Sequence, residues 1–198
     1  MSDYIPDKDR IVTIEDTAEL QISKEHVVRM ETKSANVEGR GEYDIRDLVK
    51  NSLRMRPDRI VVGECRGPEA LDMLQAMNTG HDGSMTTVHA NTSEDVILRL
   101  EVLVQQAADL PIESIHRQIA SAIDIVVQLA RLDNGRRCVT QITQFVDYDE
   151  IEQRIMYKDI FKMSHSGYDA LLVPTGALPT FMPKLMSRNL IDLDLFYS

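Results

Sequence analysis

Short apolar runs that stop at an acidic or turn residue alternate, along this chain, with stretches that carry an apolar residue at every third or fourth position. Ile11-Val12-Thr13-Ile14 ends at Glu15, Asp16 and Glu19, and Ile60-Val61-Val62 ends at Gly63 and Glu64. His26 to Thr32 and Ser84 to Val88 are two further β-like runs, the second ending at His89 and Asn91. Continuous apolar strands separated by helical patterns predict a parallel sheet covered on both faces. The helical stripes are Ile45, Leu48, Val49 and Leu53; Leu71, Leu74 and Met77; Val96, Leu100, Leu103, Val104 and Ala107; and Ile112, Ile115, Ile119 and Ile123. Pro57 closes the first, Pro68 and Gly80 bound the second, Thr92 with Asp95 caps the third, and Pro111 starts the fourth.

From Ile125 the pattern changes. An apolar strand to Leu129 meets Asp133-Asn134-Gly135, whose Asn-Gly pair signals a two-residue hairpin. Cys138 to Val146 and Arg154 to Phe161 then read as antiparallel strands. Beyond Gly167, with Pro174, Gly176, Pro179 and Pro183, the chain reads as a loop leading to a short helix around Phe181, Leu185 and Leu190. The predicted fold class is α/β, with a parallel, helix-rich region over residues 1–146 and a small β-meander and helical appendage over 147–198.

Composition narrows the function. The chain has 198 residues, 43% of them hydrophobic, enough to bury a core. A formal charge of −10 argues against an electrostatic grip on nucleic acid. Cys65 and Cys138 are far apart and fit neither a disulfide framework nor a zinc finger. The opening Met-Ser-Asp-Tyr has no signal-like pattern, and no run approaches the roughly 18 apolar residues of a membrane span. A reducing, cytoplasmic compartment is therefore expected.

In open α/β sheets, ligands bind outside the carboxyl ends of the strands. Glu64 stands at such an end and is the candidate to orient water or organise magnesium, with Glu15, Asp16 and Glu19 as partners from a neighbouring strand. His89 ends the next strand, where it can report on a terminal phosphate, and Arg29, Arg40, Arg54, Arg56 and Arg66 are available to phosphate or to an adjacent subunit. These are the parts that nucleoside triphosphate hydrolysis requires, since its catalysis is mostly positioning and charge stabilisation. Each residue also has a plain reading. Glu64 can be a solvated strand end, the acidic cluster can complement a helix dipole, His81 can close a helix, and Arg40 can be a solvated loop residue.

Three segments taken together are more specific. IVTIEDTAEL resembles the Asp box, RPDRIVVGECRG the Walker B box and GHDGSMTTVHAN the His box of the type II/IV secretion and pilus-assembly ATPases, most of all the CpaF-like branch that powers tight-adherence (Flp) pili. The resemblance covers essentially the whole chain and is weakest after about Val146. It implies a RecA-like P-loop NTPase core that works as a hexameric ring, binds ATP with Mg2+ between subunits, and drives pilin-like subunits through an inner-membrane platform. The motor would be cytoplasmic, peripheral to the inner membrane through its partners, and independent of nucleic acid. It further implies catalytic roles for Glu64, Glu15 and His89, and nucleotide contacts from Asp16, Glu19, His81, Arg40 and Arg66. Asp16 and Glu64 would hold magnesium through water.

One departure stands against these agreements. The family's phosphate loop, G-x-x-x-x-G-K-[ST], precedes the Asp box, and no such pattern occurs in this sequence. The chain is therefore expected to be the C-terminal part of a motor, lacking the first strand and its loop, with open sheet edges and no ATP turnover of its own. Two alternatives stay open: a non-catalytic assembly or regulatory remnant, and a metal-dependent hydrolase using His81, His89 and nearby carboxylates.

Overall fold

Ile11–Glu15 (β1) is buried at all five positions because it is paired on both edges and covered on both faces. In this computed structural model, which describes residues 2–132, 135–165, 170–191 and 193–197, β1 lies between Val27–Glu31 (β2) and Arg59–Val62 (β3). Met85–Thr86 (β4) pairs with β3, giving a parallel four-stranded sheet in the order β2-β1-β3-β4. The register sets Ile14 beside Val62, so Glu15 and Gly63 leave the sheet together.

One face of this sheet, carrying Val12, Ile14, Ile60 and Val62, packs against Ile45–Ser52 (α1), Glu69–Asn78 (α2), Asp95–Ala107 (α3) and Ile112–Ala122 (α4). The other face, with Ile11 and Val61, is covered more thinly by Ile5, Leu20 and Ile22. Helix starts follow local chemistry: Asp44 Oδ1 accepts the Asp47 N–H at 2.8 Å and Thr92 Oγ1 accepts the Asp95 N–H at 3.0 Å, each satisfying an otherwise orphaned donor.

Ile125–Arg131 (β5), Arg137–Asp149 (β6), Arg154–Met163 (β7) and Leu172–Pro174 (β8) form a second, antiparallel sheet in sequence order. Phe145, Tyr148 and Ile155 of this sheet join the main core, while Ile160, Met182 and Phe196 make a smaller cluster beneath Met182–Ser187 (α5). The junction with α4 is polar. Arg117 pairs with Glu113 and Glu150 and lies 4.9 Å from the Tyr148 ring centre, and His116 Nε2 is 3.0 Å from Glu101 on α3. Residue 146 lies inside β6, where the pairing with β7 shifts register between Phe145 and Asp147.

Two elements differ from expectation. The run Ser84 to Val88 forms only a two-residue strand, beyond which the Thr87 hydroxyl occupies the Gly63 carbonyl in place of a backbone N–H. Leu172–Pro174, expected as loop, is an edge strand, a place where a proline without N–H is tolerated. Asp133 and Asn134 of the expected hairpin turn, and Gly167, lie outside the described residues.

Leu103 is fully buried on α3 and Leu98 is 59% exposed on the same helix. Leu103→Ala is expected to cost about 2–5 kcal/mol in urea unfolding and Leu98→Ala within about 0.5 kcal/mol. Equal losses at the two positions would contradict the placement of the core.

Candidate functional site

The carboxyl ends of β1 and β3 carry the candidate carboxylates, Glu15 and Glu64. Glu15 closes β1, and although buried it is satisfied: its Oε1 accepts the Glu19 and Leu20 N–H groups, both at 3.0 Å. This bends the chain sharply after the strand and leaves the Glu19 side chain in solvent. The Glu15 side chain lies against Gly63, where a Cβ would stand only 3.1 Å from Glu15 Cγ. Glycine at 63 therefore lets the two strand ends approach, and Glu64 follows at once.

Glu64 is the centre of a charged cluster. Its Oε2 is 2.5 Å from Arg66 Nη2, and its Oε1 is 2.8 Å from His89 Nε2. Arg66 beside it is the main reason that the Glu64 carboxyl is held below its ordinary range, with the charges of His89 and Arg99 adding to the effect against the cost of burial. Reciprocally, Glu64 and, more weakly, Asp16 hold Arg66 firmly protonated. Oε1 of Glu64 is buried and accepts no aligned hydrogen bond among the described residues. Cys65, next in the chain, takes no part: burial pushes its thiol up to about 12, where it is protonated and unreactive.

The loop after Glu64 is shaped by Glu69, whose Oε1 accepts the Arg66 and Gly67 N–H groups at 2.6 and 2.9 Å and so closes the first turn of α2. Asp16 is exposed, within reach of the Thr32 hydroxyl at 3.2 Å. Asp16, Lys33, Tyr43, Arg46, Arg66 and Glu69 all line one open cleft of about 350 Å³ beside the cluster.

The remaining candidates lie elsewhere in this chain. His81 follows α2 at the amino end of β4, where its Nδ1 is 3.0 Å from the Ala76 carbonyl. That contact places it against the end of the helix, at the opposite end of β4 from His89. The residues of a zinc-hydrolase reading are thus not brought together. Arg40 stands at the tip of a loop closed by the Lys33–Tyr43 bridge, its own N–H held by Asn36 Oδ1 at 2.9 Å. Arg29 donates to the Ile22 carbonyl at 2.9 Å on the edge strand, and Arg54 and Arg56 precede the amino end of β3.

Three participants escaped the sequence reading: Arg99, Glu69 and Thr87. Thr87 donates its hydroxyl to Gly63 O at 2.7 Å. Only Glu69 left a signal, a glutamate three residues after Arg66, the spacing at which a side chain caps its own helix start.

A parallel sheet with helices packed on it, and paired carboxylates and cations at its strand ends, defines a RecA-like α/β domain. The VirB11 ATPase of the Brucella suis type IV secretion system, solved in complex with sulphate, superposes with a TM-score of 0.61 at 31% identity, covering 70% of this chain and 40% of that one. The chain belongs to the type II/IV secretion system protein family, whose model matches residues 1–169. A putative conjugal transfer protein of Mycobacterium tuberculosis is 47% identical over 137 residues, 69% of this chain and 38% of that protein. The type IV secretion system protein VirB11 of Bartonella quintana is 38% identical over 156 residues, 77% of this chain and 42% of that protein. The chain therefore spans about two fifths of the length of these relatives.

The Glu64 cluster makes a pH prediction. A carboxyl held below its ordinary value of 4.5 contributes stability that is present above that value and is lost as pH falls through the lower, folded-state value. Arg66→Ala removes the main cause, so the Glu64 carboxyl should titrate at higher pH in carbon-detected NMR. An unchanged titration would show that Arg66 does not hold it.

Proposed function

We propose that this chain is the C-terminal motor portion of an ATPase that couples ATP hydrolysis to type II/IV secretion or pilus assembly, with Glu64 as its water-orienting carboxylate. The observation that carries the reading is the Glu64 carboxylate just after β3, kept ionised beside Arg66 and with His89 Nε2 2.8 Å from its Oε1. It lies where a parallel sheet presents ligands, next to Glu15 and Asp16.

In this reading, Glu64 orients the attacking water with Oε1, and His89 stands beside that oxygen to sense the terminal phosphate. Arg66 exchanges its carboxylate partner for a phosphate oxygen, a transfer that a planar, permanently charged guanidinium makes readily. Glu15 fixes the strand end, Asp16 and Glu19 face the nucleotide, and His81 and Arg40 act across a contact with a second subunit in a hexameric ring. Among the described residues no three His, Cys, Asp or Glu side chains converge on a metal position. Magnesium keeps most of its waters and takes phosphate oxygens, so Asp16 and Glu64 would hold it through water. Bound there, magnesium would neutralise charge on the phosphates.

The phosphate loop of this reading would enter at the open sheet edges. β4 and β5 are both open edges, and Gln128 Nε2 of β5 donates to Ala90 O just beyond β4 at 3.1 Å, which brings the two edges to the same side. In this reading the strand carrying G-x-x-x-x-G-K-[ST] would pair at these edges, taking the place of the Gln128–Ala90 contact. We assign the motor to the CpaF-like, tight-adherence branch on the three boxes, with inner-membrane platform proteins as partners and a cytoplasmic position at that membrane. No helix of the described residues is long and apolar enough to cross a membrane.

The 198-residue chain alone should show no magnesium-dependent ATP turnover. A polypeptide that supplies the phosphate loop ahead of Ile11 should turn over ATP, and Glu64→Gln should lower that rate by about 10²–10⁴-fold. Retention of the rate in Glu64→Gln would remove Glu64 from the mechanism. The resting pairing of Glu64 with Arg66 favours a second reading, a non-catalytic subunit that joins complete motors. Its test is titration of the chain into a complete family motor, and an unchanged turnover rate would exclude it.

A further inference from the structure

Glu64 carries the proposed chemistry, yet its own side-chain contacts are to groups that must let go: an exposed histidine and an arginine that are both wanted by phosphate. Its direction has to be set by the backbone. After Val62 the chain leaves β3, and regular pairing with β4 has stopped at Thr86. On the β1 side, Gly63 N–H is held by the Ile14 carbonyl at 2.8 Å. On the β4 side, Thr87 makes two bonds. Its hydroxyl donates to the Gly63 carbonyl at 2.7 Å, and its own carbonyl accepts the Cys65 N–H at 2.9 Å.

Those two groups belong to the two peptide planes that flank the Glu64 α-carbon. A residue whose preceding and following peptides are both tied to one neighbour cannot change φ or ψ without breaking one of the ties. We infer that Thr87 is a positioning residue for Glu64, clamping both peptides around it so that the carboxylate keeps its aim while its ionic partners exchange. The inference rests on the reading of Glu64 as the carboxylate of the ATP site.

Threonine suits the task at this position. Valine has its shape and β-propensity but no donor, and serine keeps the donor. The neighbouring contacts continue the clamp: the Thr86 hydroxyl is 3.3 Å from Cys65 Sγ, and Glu69 holds the next two amides. Thr87 itself is exposed, so its hydroxyl is not needed to satisfy a buried core group.

The test uses the whole 198-residue chain with Thr87→Val and Thr87→Ser, and reads the Arg66 guanidinium N–H signals of the Glu64–Arg66 pair by nitrogen-15 NMR at low temperature and mildly acidic pH, assigned with Arg66→Lys. Thr87→Val should lose those signals while most amide signals stay in place, and Thr87→Ser should restore them. Unchanged Arg66 signals in Thr87→Val would overturn the inference. Should Thr87→Val fail to fold, amide exchange of the unmodified chain decides: Cys65 N–H should exchange at least about tenfold more slowly than the exposed-loop amide of Gly41. An equal rate would equally overturn the clamp. Neither measurement involves nucleotide, so its failure is separate from failure of the ATPase reading, which Glu64→Gln turnover decides.

Discussion

The parallel pairing of β1 with β3 is the constraint on which the rest of the site depends. β1 is buried along its whole length, and its side chains alternate between the helical core, through Val12 and Ile14, and the thinner layer, through Ile11. A one-residue slip against β3 would exchange these two sets, so the register is strongly specified. The same register brings Glu15 against Gly63 and delivers Glu64 at the sheet's carboxyl edge. Packing in the core thus determines where the charged cluster stands.

That cluster runs against the overall charge of the chain. In a protein with a formal charge of −10, Arg66, His89 and Arg99 are gathered about one partly buried carboxylate. A lone carboxylate there would be costly to keep ionised, and lone cations would bind any passing anion. Together they form a resting pair, which in the proposed reading a polyphosphate opens by competing for the cations. The backbone clamp at Thr87 and the helix cap at Glu69 keep the two halves of the pair on fixed supports while that exchange occurs.

Much of this was legible in the sequence, because the strands announce themselves as apolar runs and each candidate carboxylate directly follows one. Ile60-Val61-Val62 with Gly63-Glu64 is the clearest case, and Glu15 is another. The illegible parts depend on contacts between distant segments. Thr87 and Gly63 are 24 residues apart, and the charge of Arg99 is felt at Glu64 across α3 and α2, which pack together. His81 and His89 look equivalent in the sequence, and only the strand between them sends one to the helix end and the other to Glu64. The short β4 and the edge strand ending at Pro174 were missed for a related reason: a threonine hydroxyl can replace a ladder bond, and an edge tolerates a proline.

The most direct measurement is a crystal structure of a polypeptide that carries the phosphate loop ahead of Ile11, grown with magnesium and a non-hydrolysable ATP analogue. The terminal phosphate should lie beside His89, with Arg66 turned from Glu64 to a phosphate oxygen and one water held by Glu64 Oε1. A nucleotide bound away from the carboxyl ends of β1 and β3, with Glu64 still paired to Arg66, would contradict the assignment of this cluster as the ATPase site.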